Sequence, residues 1–278
     1  MYAAPIEASL VRVMQGRIAH DDELGVRYGV TKEGGVSVEL PFAPFLSDPG
    51  QRHVGVGPLV TILDSVCGIG TMMALDFRES TATVDLRVDY LRSPAEGASC
   101  RAVARPVEIG GRPGAGMVMM RAEVCEADGR EPFAHAVGRF IRRRLPNVPA
   151  LRCLPPSRPR ATAPDYRVLM GFAPAEDGGL LMPYRPGLVG NGSLPSLHGG
   201  AVAAHLQQAA CDAVAARSER PARLATAHFS FLRFAGAADT VAAVTVERLG
   251  ASVACVRAVS CQEPGRAAAS GVFTFIFV

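Results

Sequence analysis

The sequence contains no Trp, no Cys-x-x-Cys pair, no Gly-x-Ser-x-Gly motif and no strong excess of either charge. The net charge of +3 over 278 residues does not indicate a nucleic-acid-binding protein, because such proteins need a basic surface to neutralise phosphates. No His, Cys and Asp cluster has metal-ligand spacing, so no metal site is predicted. The missing Ser motif argues against a serine hydrolase.

The cysteine pattern and the first residues indicate the compartment. The seven cysteines show no repeated spacing, and several of them stand in apolar surroundings as small buried thiols would. This favours a reducing compartment. The N-terminus has no basic segment before an apolar run, so no signal peptide is predicted. A cytoplasmic location is therefore expected.

The longest hydrophobic stretch, residues 59–75, has 17 residues and contains Asp64. A membrane-spanning helix needs about 20 apolar residues, and an Asp at its centre costs roughly 3 kcal/mol. The stretch is therefore predicted to be a buried core helix, and no membrane span is expected.

The two halves of the chain have the same order of elements. Each half is predicted to contain a strand, a loop, a long helix and then four strands separated by turn residues. In the first half these are residues 36–40, 58–77, 81–92, 99–108, 116–127 and 132–143. In the second half they are residues 178–184, 199–217, 222–234, 240–249, 252–262 and 267–278.

Matching residues support the repeat. Residues 88–92, Val-Asp-Tyr-Leu-Arg, match residues 229–233, Phe-Ser-Phe-Leu-Arg, at an offset of 141. Gly138-Arg-Phe and Gly271-Val-Phe match near the end of each half. Two copies of one domain are predicted, at 1–143 and 165–278. Residues 144–164 are rich in Pro and Arg and are predicted to be a linker, with the preceding Arg run as a solvated strand end.

A long apolar helix followed by four strands indicates an α+β fold in which a curved antiparallel sheet wraps the helix. Gly199 and Gly200 open the second helix directly after His198, and Asn191 lies seven residues before that His. This order and this motif resemble the hotdog fold and the phenylacetate-pathway type of acyl-CoA thioesterase. The resemblance implies a tandem hotdog chain that folds as a pseudo-dimer.

In that family an acidic residue follows the His by nine positions, and here that position holds Gln207. When the two helices are aligned, Asp64 takes the acidic position in the first copy. The first copy in turn has Gly55 where the His is expected and Asp48 where the Asn is expected, with His53 out of register.

The two copies have therefore lost complementary parts of the motif. In the family, the His-Gly-Gly segment of one subunit faces the acid of the other, so two-fold symmetry produces two equivalent sites. The resemblance implies one complete site from Asp64, Asn191, His198, Gly199 and Gly200. The second site, with Gln207, Asp48 and Gly55, is expected to be degenerate.

The resulting hypothesis is hydrolysis of an acyl-CoA thioester, with the start of the second helix as an oxyanion hole and Asp64 as general base or nucleophile. Coenzyme A enters only as part of the substrate, and no cofactor is expected. The resemblance also allows a homodimer of the whole chain. Two alternatives stay open: a non-catalytic protein that binds acyl thioesters, and a 3-hydroxyacyl thioester dehydratase, whose usual motif is missing.

Overall fold

A computed structural model describes residues 18–144, 163–176, 178–191 and 196–278, without the side chain of Asn191. The predicted linker at 144–164 lies almost entirely outside the described residues.

The described part of the first repeat contains two α-helices and six strands. In chain order they are α1 (Ala19–Leu24), β1 (Arg27–Val30), β2 (Val36–Leu40), α2 (Val56–Ala74), β3 (Glu79–Tyr90), β4 (Cys100–Ile109), β5 (Gly116–Glu126) and β6 (Ala134–Arg144). The sequence predicted α2 and the strands from β2 to β6 to within three residues at each end. It did not predict α1 or β1.

The second repeat follows the same plan with short additional elements. They are α3 (Tyr166–Met170), β7 (Ala173–Pro174), β8 (Leu180–Met182), β9 (Val189–Asn191), β10 (Ser196–Leu197), α4 (Gly199–Ala215), β11 (Ala222–Phe231), β12 (Thr240–Leu249), β13 (Val253–Glu263) and β14 (Arg266–Phe277). The segment 186–197, predicted as a loop, contains the small β9–β10 hairpin.

One antiparallel sheet of twelve strands runs through both repeats, in the order β1-β2-β4-β5-β6-β3-β11-β14-β13-β12-β8-β7. The repeats join where β3 pairs with β11, with Arg87 opposite His228 near the middle of the pairing. The α+β class and the two hotdog-type domains predicted from the sequence are thereby confirmed.

Helices α2 and α4 lie side by side against the sheet. The sheet covers most sides of α2, so from Gly57 to Cys67 every residue of that helix is buried. It is the one helix among the described residues that is long and apolar enough to cross a membrane, and 78% of its apolar window is buried inside the protein. Burial against the sheet explains its lack of a polar face.

Two short elements show the repeat more clearly than the sequence did. Helices α1 and α3 both end at a glycine in the left-handed conformation, Gly25 and Gly171, and each glycine N–H bonds to carbonyls three and four residues earlier. The two glycines lie 146 positions apart. The helices are therefore equivalent, which aligns His20 with Tyr166 and Asp21 with Arg167.

The prediction of a solvated strand end at the Arg run of β6 is wrong for Arg142. This side chain is buried, forms an ion pair with Glu79 and donates to the carbonyls of Gly110 and Gly111. The Arg142 guanidinium lowers the pKa of Glu79. Strand side chains alternate between faces, so the three consecutive arginines could not all face solvent.

His205 is a core residue of the second repeat. Its Nε2 lies 2.7 Å from the carbonyl oxygen of Leu180, its ring stacks on Phe172, and burial lowers its pKa to about 4. The neutral form is favoured in the folded state, so its contribution to stability is present above pH 6.5 and is lost as the pH falls toward 4.

We therefore expect the free energy of unfolding to fall on acidification, by up to about 3 kcal/mol from His205 alone. Buried His20 adds to the loss with the same sign, because burial also lowers its pKa. Denaturant unfolding at pH 7.5 and 4.5 measures the effect. His205→Gln keeps a donor for Leu180 but cannot titrate, so its loss should be smaller. Equal losses in the two proteins would contradict the assignment.

Candidate active site

The structure brings Asp64 of α2 to the start of α4, although 134 positions separate Asp64 from His198 in the chain. Asp64 Oδ2 lies 3.7 Å from His198 Nδ1, and a Cβ placed on Gly199 would lie 2.7 Å from the same oxygen. The two helices come from different repeats, so this cluster lies at the interface between the repeats.

The two carboxylate oxygens of Asp64 have different surroundings. Oδ1 accepts a hydrogen bond of 2.8 Å from the hydroxyl of Thr83 in β3, whereas Oδ2 faces Gly199. Asp64 is only 6% exposed. Thr83 thus fixes the rotation of the carboxylate and leaves Oδ2 as the oxygen available for chemistry.

His198 is the residue that caps α4. Its Nδ1 accepts a hydrogen bond of 2.9 Å from the amide of Gly200, so that amide is already engaged. The amide of Gly199 occupies the first position of the helix, where no carbonyl of the same helix can accept it. Of the two amides that the sequence offered for an oxyanion hole, the geometry therefore favours Gly199.

The glycines at this helix start permit a close approach of the two repeats. A Cβ on Gly200 would lie 2.5 Å from the Cα of Thr61, a backbone atom of α2. Any larger residue would have to push the helices apart. Gly199 and Gly200 are thus required by the lack of space between the two helices.

Asn191 belongs to β9 and pairs in register with Ser196 of β10. Its side chain lies outside the described part of the structure, so its predicted role in the site stays a prediction.

Four residues near His198 were not predicted from the sequence: His20, Asp21, Tyr28 and Ser65. Ser65 Oγ lies 3.2 Å from His198 Nε2 and donates to Asp21 Oδ1 at 2.8 Å. Tyr28 donates to the other oxygen of Asp21 at 2.7 Å. Burial raises the pKa of Asp21, which is fully buried.

His20 packs beside this cluster, with its ring centroid 5.5 Å from that of His198. Its Nδ1 lies 3.2 Å from the carbonyl oxygen of Gly187. Burial and then the neighbouring His198 lower the pKa of His20. His20 therefore packs beside His198 as a neutral ring.

The second site expected by symmetry has a different content. Gln207 is fully buried, and its Oε1 accepts a hydrogen bond of 2.9 Å from Tyr90. Asp48 accepts a hydrogen bond from the amide of Val56, at the start of α2, and burial raises its pKa. A Cβ on Gly55, the residue that caps α2, would lie 2.8 Å from Asp48 Oδ1.

The start of α2 is also covered by an aromatic ring. A Cβ on Gly57, which aligns with Gly200, would lie 2.3 Å from the ring of Tyr166. His53 lies nearby, with its Nδ1 3.2 Å from the carbonyl oxygen of Val54. At the start of α2, the matching position of the facing helix holds the amide of Gln207 in place of a carboxylate.

Thr83, the partner of Asp64, has no equivalent hydroxyl in the second repeat. Leu224 is the counterpart of Thr83 at an offset of 141, and both strands have an irregular register directly after that position. The hydroxyl of Thr83 is thus specific to the repeat that contains Asp64.

Comparison with protein families gives two separate matches, one in each repeat. Residues 54–132 match the profile of the thioesterase superfamily, and residues 191–276 match the profile of the acyl-CoA thioesterase N-terminal domain. The first match contains Asp64, and the second contains His198. A comparison with curated proteins gave no match.

Solved structures share the fold over nearly the whole chain. A putative thioesterase II from Thermobifida fusca is 12% identical with a TM-score of 0.64, covering 94% of this chain and 98% of its own. A putative thioesterase from Novosphingobium aromaticivorans is 13% identical with a TM-score of 0.59, covering 90% and 98%. A putative oleoyl thioesterase from Lactobacillus plantarum is 12% identical with a TM-score of 0.57, covering 87% and 95%.

Proposed function

The chain belongs to the thioesterase superfamily and is thus a thioester hydrolase, and on that premise we propose that it hydrolyses an acyl-CoA thioester at one composite site between its two repeats. The observation that carries the proposal is the position of Asp64 Oδ2 beside Gly199, with Gly199 at the start of a helix of 17 residues. The carboxylate of Asp64 is thus next to the residue that supplies the first amide of α4.

The substrate carbonyl is placed at the amide of Gly199. Its oxygen accepts a hydrogen bond there, at the positive end of the helix dipole, which stabilises the negative charge that develops in the transition state. The site is nearly dry, since Asp64 and His198 are each only 6% exposed, and such electrostatic stabilisation is stronger away from water.

Asp64 Oδ2 supplies the base. It takes a proton from a water molecule whose oxygen attacks the carbonyl carbon, giving a tetrahedral intermediate. Collapse of the intermediate breaks the carbon–sulfur bond, and the proton held by Asp64 passes to the departing thiolate. The products are the free acid and coenzyme A.

A direct attack by Oδ2 on the carbonyl carbon is the other route, through an anhydride with Asp64. Single-turnover hydrolysis in water labelled with ¹⁸O separates the two routes. If Asp64 is a base, the label enters only the product acid. Label found in the Asp64 carboxylate by mass spectrometry would instead establish the nucleophilic route.

His198 has a supporting role in this scheme. Its Nδ1 is occupied by the Gly200 amide, so it orients the start of α4 and does not bond the thioester. The hydrogen bond therefore favours an orienting role for His198 over direct contact with the thioester.

The test measures thiol release from a panel of acyl-CoA thioesters with short straight acyl chains. Phenylacetyl-CoA is included because the sequence resembles the phenylacetate-pathway type. We expect saturable release of coenzyme A for at least one member. The same acyl groups carried on acyl carrier protein serve as a matched comparison. Release from the carrier protein and none from coenzyme A would contradict the proposed substrate class.

A further inference from the structure

A chain of hydrogen bonds leads from the start of α4 to a buried carboxylate in α1. The amide of Gly200 donates to His198 Nδ1 at 2.9 Å, and His198 Nε2 lies 3.2 Å from Ser65 Oγ. Ser65 Oγ donates to Asp21 Oδ1 at 2.8 Å. Both His198 and Asp21 are shielded from solvent, so water does not substitute for a missing link.

The direction of every bond in this chain is fixed by its two ends. A backbone amide can only donate, so His198 Nδ1 must be the unprotonated nitrogen. The proton of the neutral ring then sits on Nε2 and is donated to Ser65. Ser65 Oγ accepts this hydrogen bond and donates its own hydroxyl hydrogen to Asp21. The Asp21 carboxylate can only accept.

We propose that Asp21 is a positioning residue, which through Ser65 holds His198 in the Nε2–H form and thereby keeps the Gly199–Gly200 turn in its active geometry. The effect on catalysis rests on the function proposed above. The effect on the histidine does not, because the tautomer can be measured without turnover.

Without an acceptor at Asp21, the Ser65 hydroxyl is free to turn and donate to His198 Nε2. The neutral ring carries one N–H, so with Ser65 donating at Nε2 and the Gly200 amide donating at Nδ1 the Nε2–H form loses its advantage, and in the Nδ1–H form the ring N–H faces the N–H of Gly200. The turn must rotate to separate them, and the neighbouring Gly199 amide moves with it. An oxyanion donor loses most of its value when displaced, which typically costs about 10²-fold or more.

In the part of the second repeat that the structure describes, the matching positions do not form these hydrogen bonds, so the fold does not require them. Arg167 takes the position of Asp21 and forms an ion pair with Asp212 on the outer side of α4. Gln208 takes the position of Ser65, 143 residues later, and donates to the same Asp212. Among the described residues, these hydrogen bonds are found at the site with Asp64 and His198 and not at the matching positions of the other repeat.

Three variants of Asp21 and its neighbour test the proposal. Asp21→Leu removes the acceptor at similar size. Asp21→Asn keeps an acceptor, because its amide oxygen can face Ser65 while its NH₂ group faces the Tyr28 oxygen. Tyr28→Phe removes a partner of Asp21 but leaves the chain to His198 intact, and it is the matched control.

The primary measurement is the tautomer of His198 by long-range ¹H–¹⁵N correlation in the full-length protein with labelled histidine, assigned with His198→Gln. We expect the Nε2–H form in the wild type, Asp21→Asn and Tyr28→Phe. Asp21→Leu should show the Nδ1–H form or a mixture. An unchanged Nε2–H form in folded Asp21→Leu would overturn the proposal.

Kinetics supply the second measurement. Asp21→Leu should lower kcat by 10- to 100-fold with KM changed less than threefold, whereas Asp21→Asn should keep at least a third of the wild-type kcat. A loss in Asp21→Asn as large as in Asp21→Leu would mean that charge matters and hydrogen-bond acceptance does not, which also contradicts the proposal. If no variant or wild type turns over acyl-CoA, the proposed function fails while the tautomer result still stands on its own.

Discussion

Asp64→Asn is expected to lower kcat by about 10²- to 10⁴-fold, the range attributed to a positioned general base. The amide of Asn has the same shape as the carboxylate, and its oxygen can still accept from Thr83. It cannot take a proton from water, and it is no nucleophile. The loss should therefore appear in kcat with little change in thermal stability or KM, measured as release of coenzyme A.

Asp48→Asn is the matched control for this variant. Asp48 is the buried carboxylate at the start of α2, where it accepts a hydrogen bond from the Val56 amide. An Asn oxygen can keep that bond, so turnover should stay within about twofold of wild type, as for substitutions that keep local hydrogen bonds. Loss in Asp48→Asn together with full activity in Asp64→Asn would assign the chemistry to the other interface site.

The repeat could be predicted because local sequence features indicate it. The apolar run of α2, the turn residues between strands and the matched strand ends are all visible within short windows of the sequence. The alignment of the two helices then placed Asp64 and Gln207 at equal distances from the helix starts. The structure agrees with that alignment, since Gly55 and His198 both occupy the capping position.

The other residues around Asp64 and His198 could not be predicted, and the reason is physical. Helix α1 has six residues, which is too short for a periodic signal, and it carries Asp21. Ser65 is one small polar residue in an apolar helix, and Thr83 is one of several in its strand. Their partners are distant in the chain, so only the folded arrangement assigns them a role.

The hydrogen bond from the Gly200 amide to His198 also could not be predicted from the sequence. The motif marked both glycines as candidates for the oxyanion hole, because both precede the body of the helix. Which amide is free depends on where the His198 ring turns, and that depends on Ser65 and Asp21. The division of roles between the two glycines is therefore a property of the packed site.

This division of roles predicts different outcomes for the two alanine substitutions at the start of α4. In Gly199→Ala, the new Cβ lies 2.7 Å from Asp64 Oδ2, so the carboxylate must turn away and the space for the substrate carbonyl is filled. We expect kcat/KM to fall about 10²-fold or more through the oxyanion site, with the free energy of unfolding within about 1 kcal/mol of wild type.

In Gly200→Ala, the new Cβ lies 2.5 Å from the Cα of Thr61, and only a shift of one helix can relieve the overlap. Overpacking of this kind costs about 1–3 kcal/mol, so this variant should lose stability as well as activity. Denaturant unfolding and thiol release on both variants separate the two effects.

Gly68→Ala is the control for both, because its Cβ would meet only Phe140 at 3.7 Å, an ordinary contact. It lies on α2 one turn after Asp64 and should gain up to about 1 kcal/mol from helix propensity. Should Gly199→Ala prove the less stable of the two start-of-helix variants and keep its turnover, then the Gly199 amide is not the oxyanion donor.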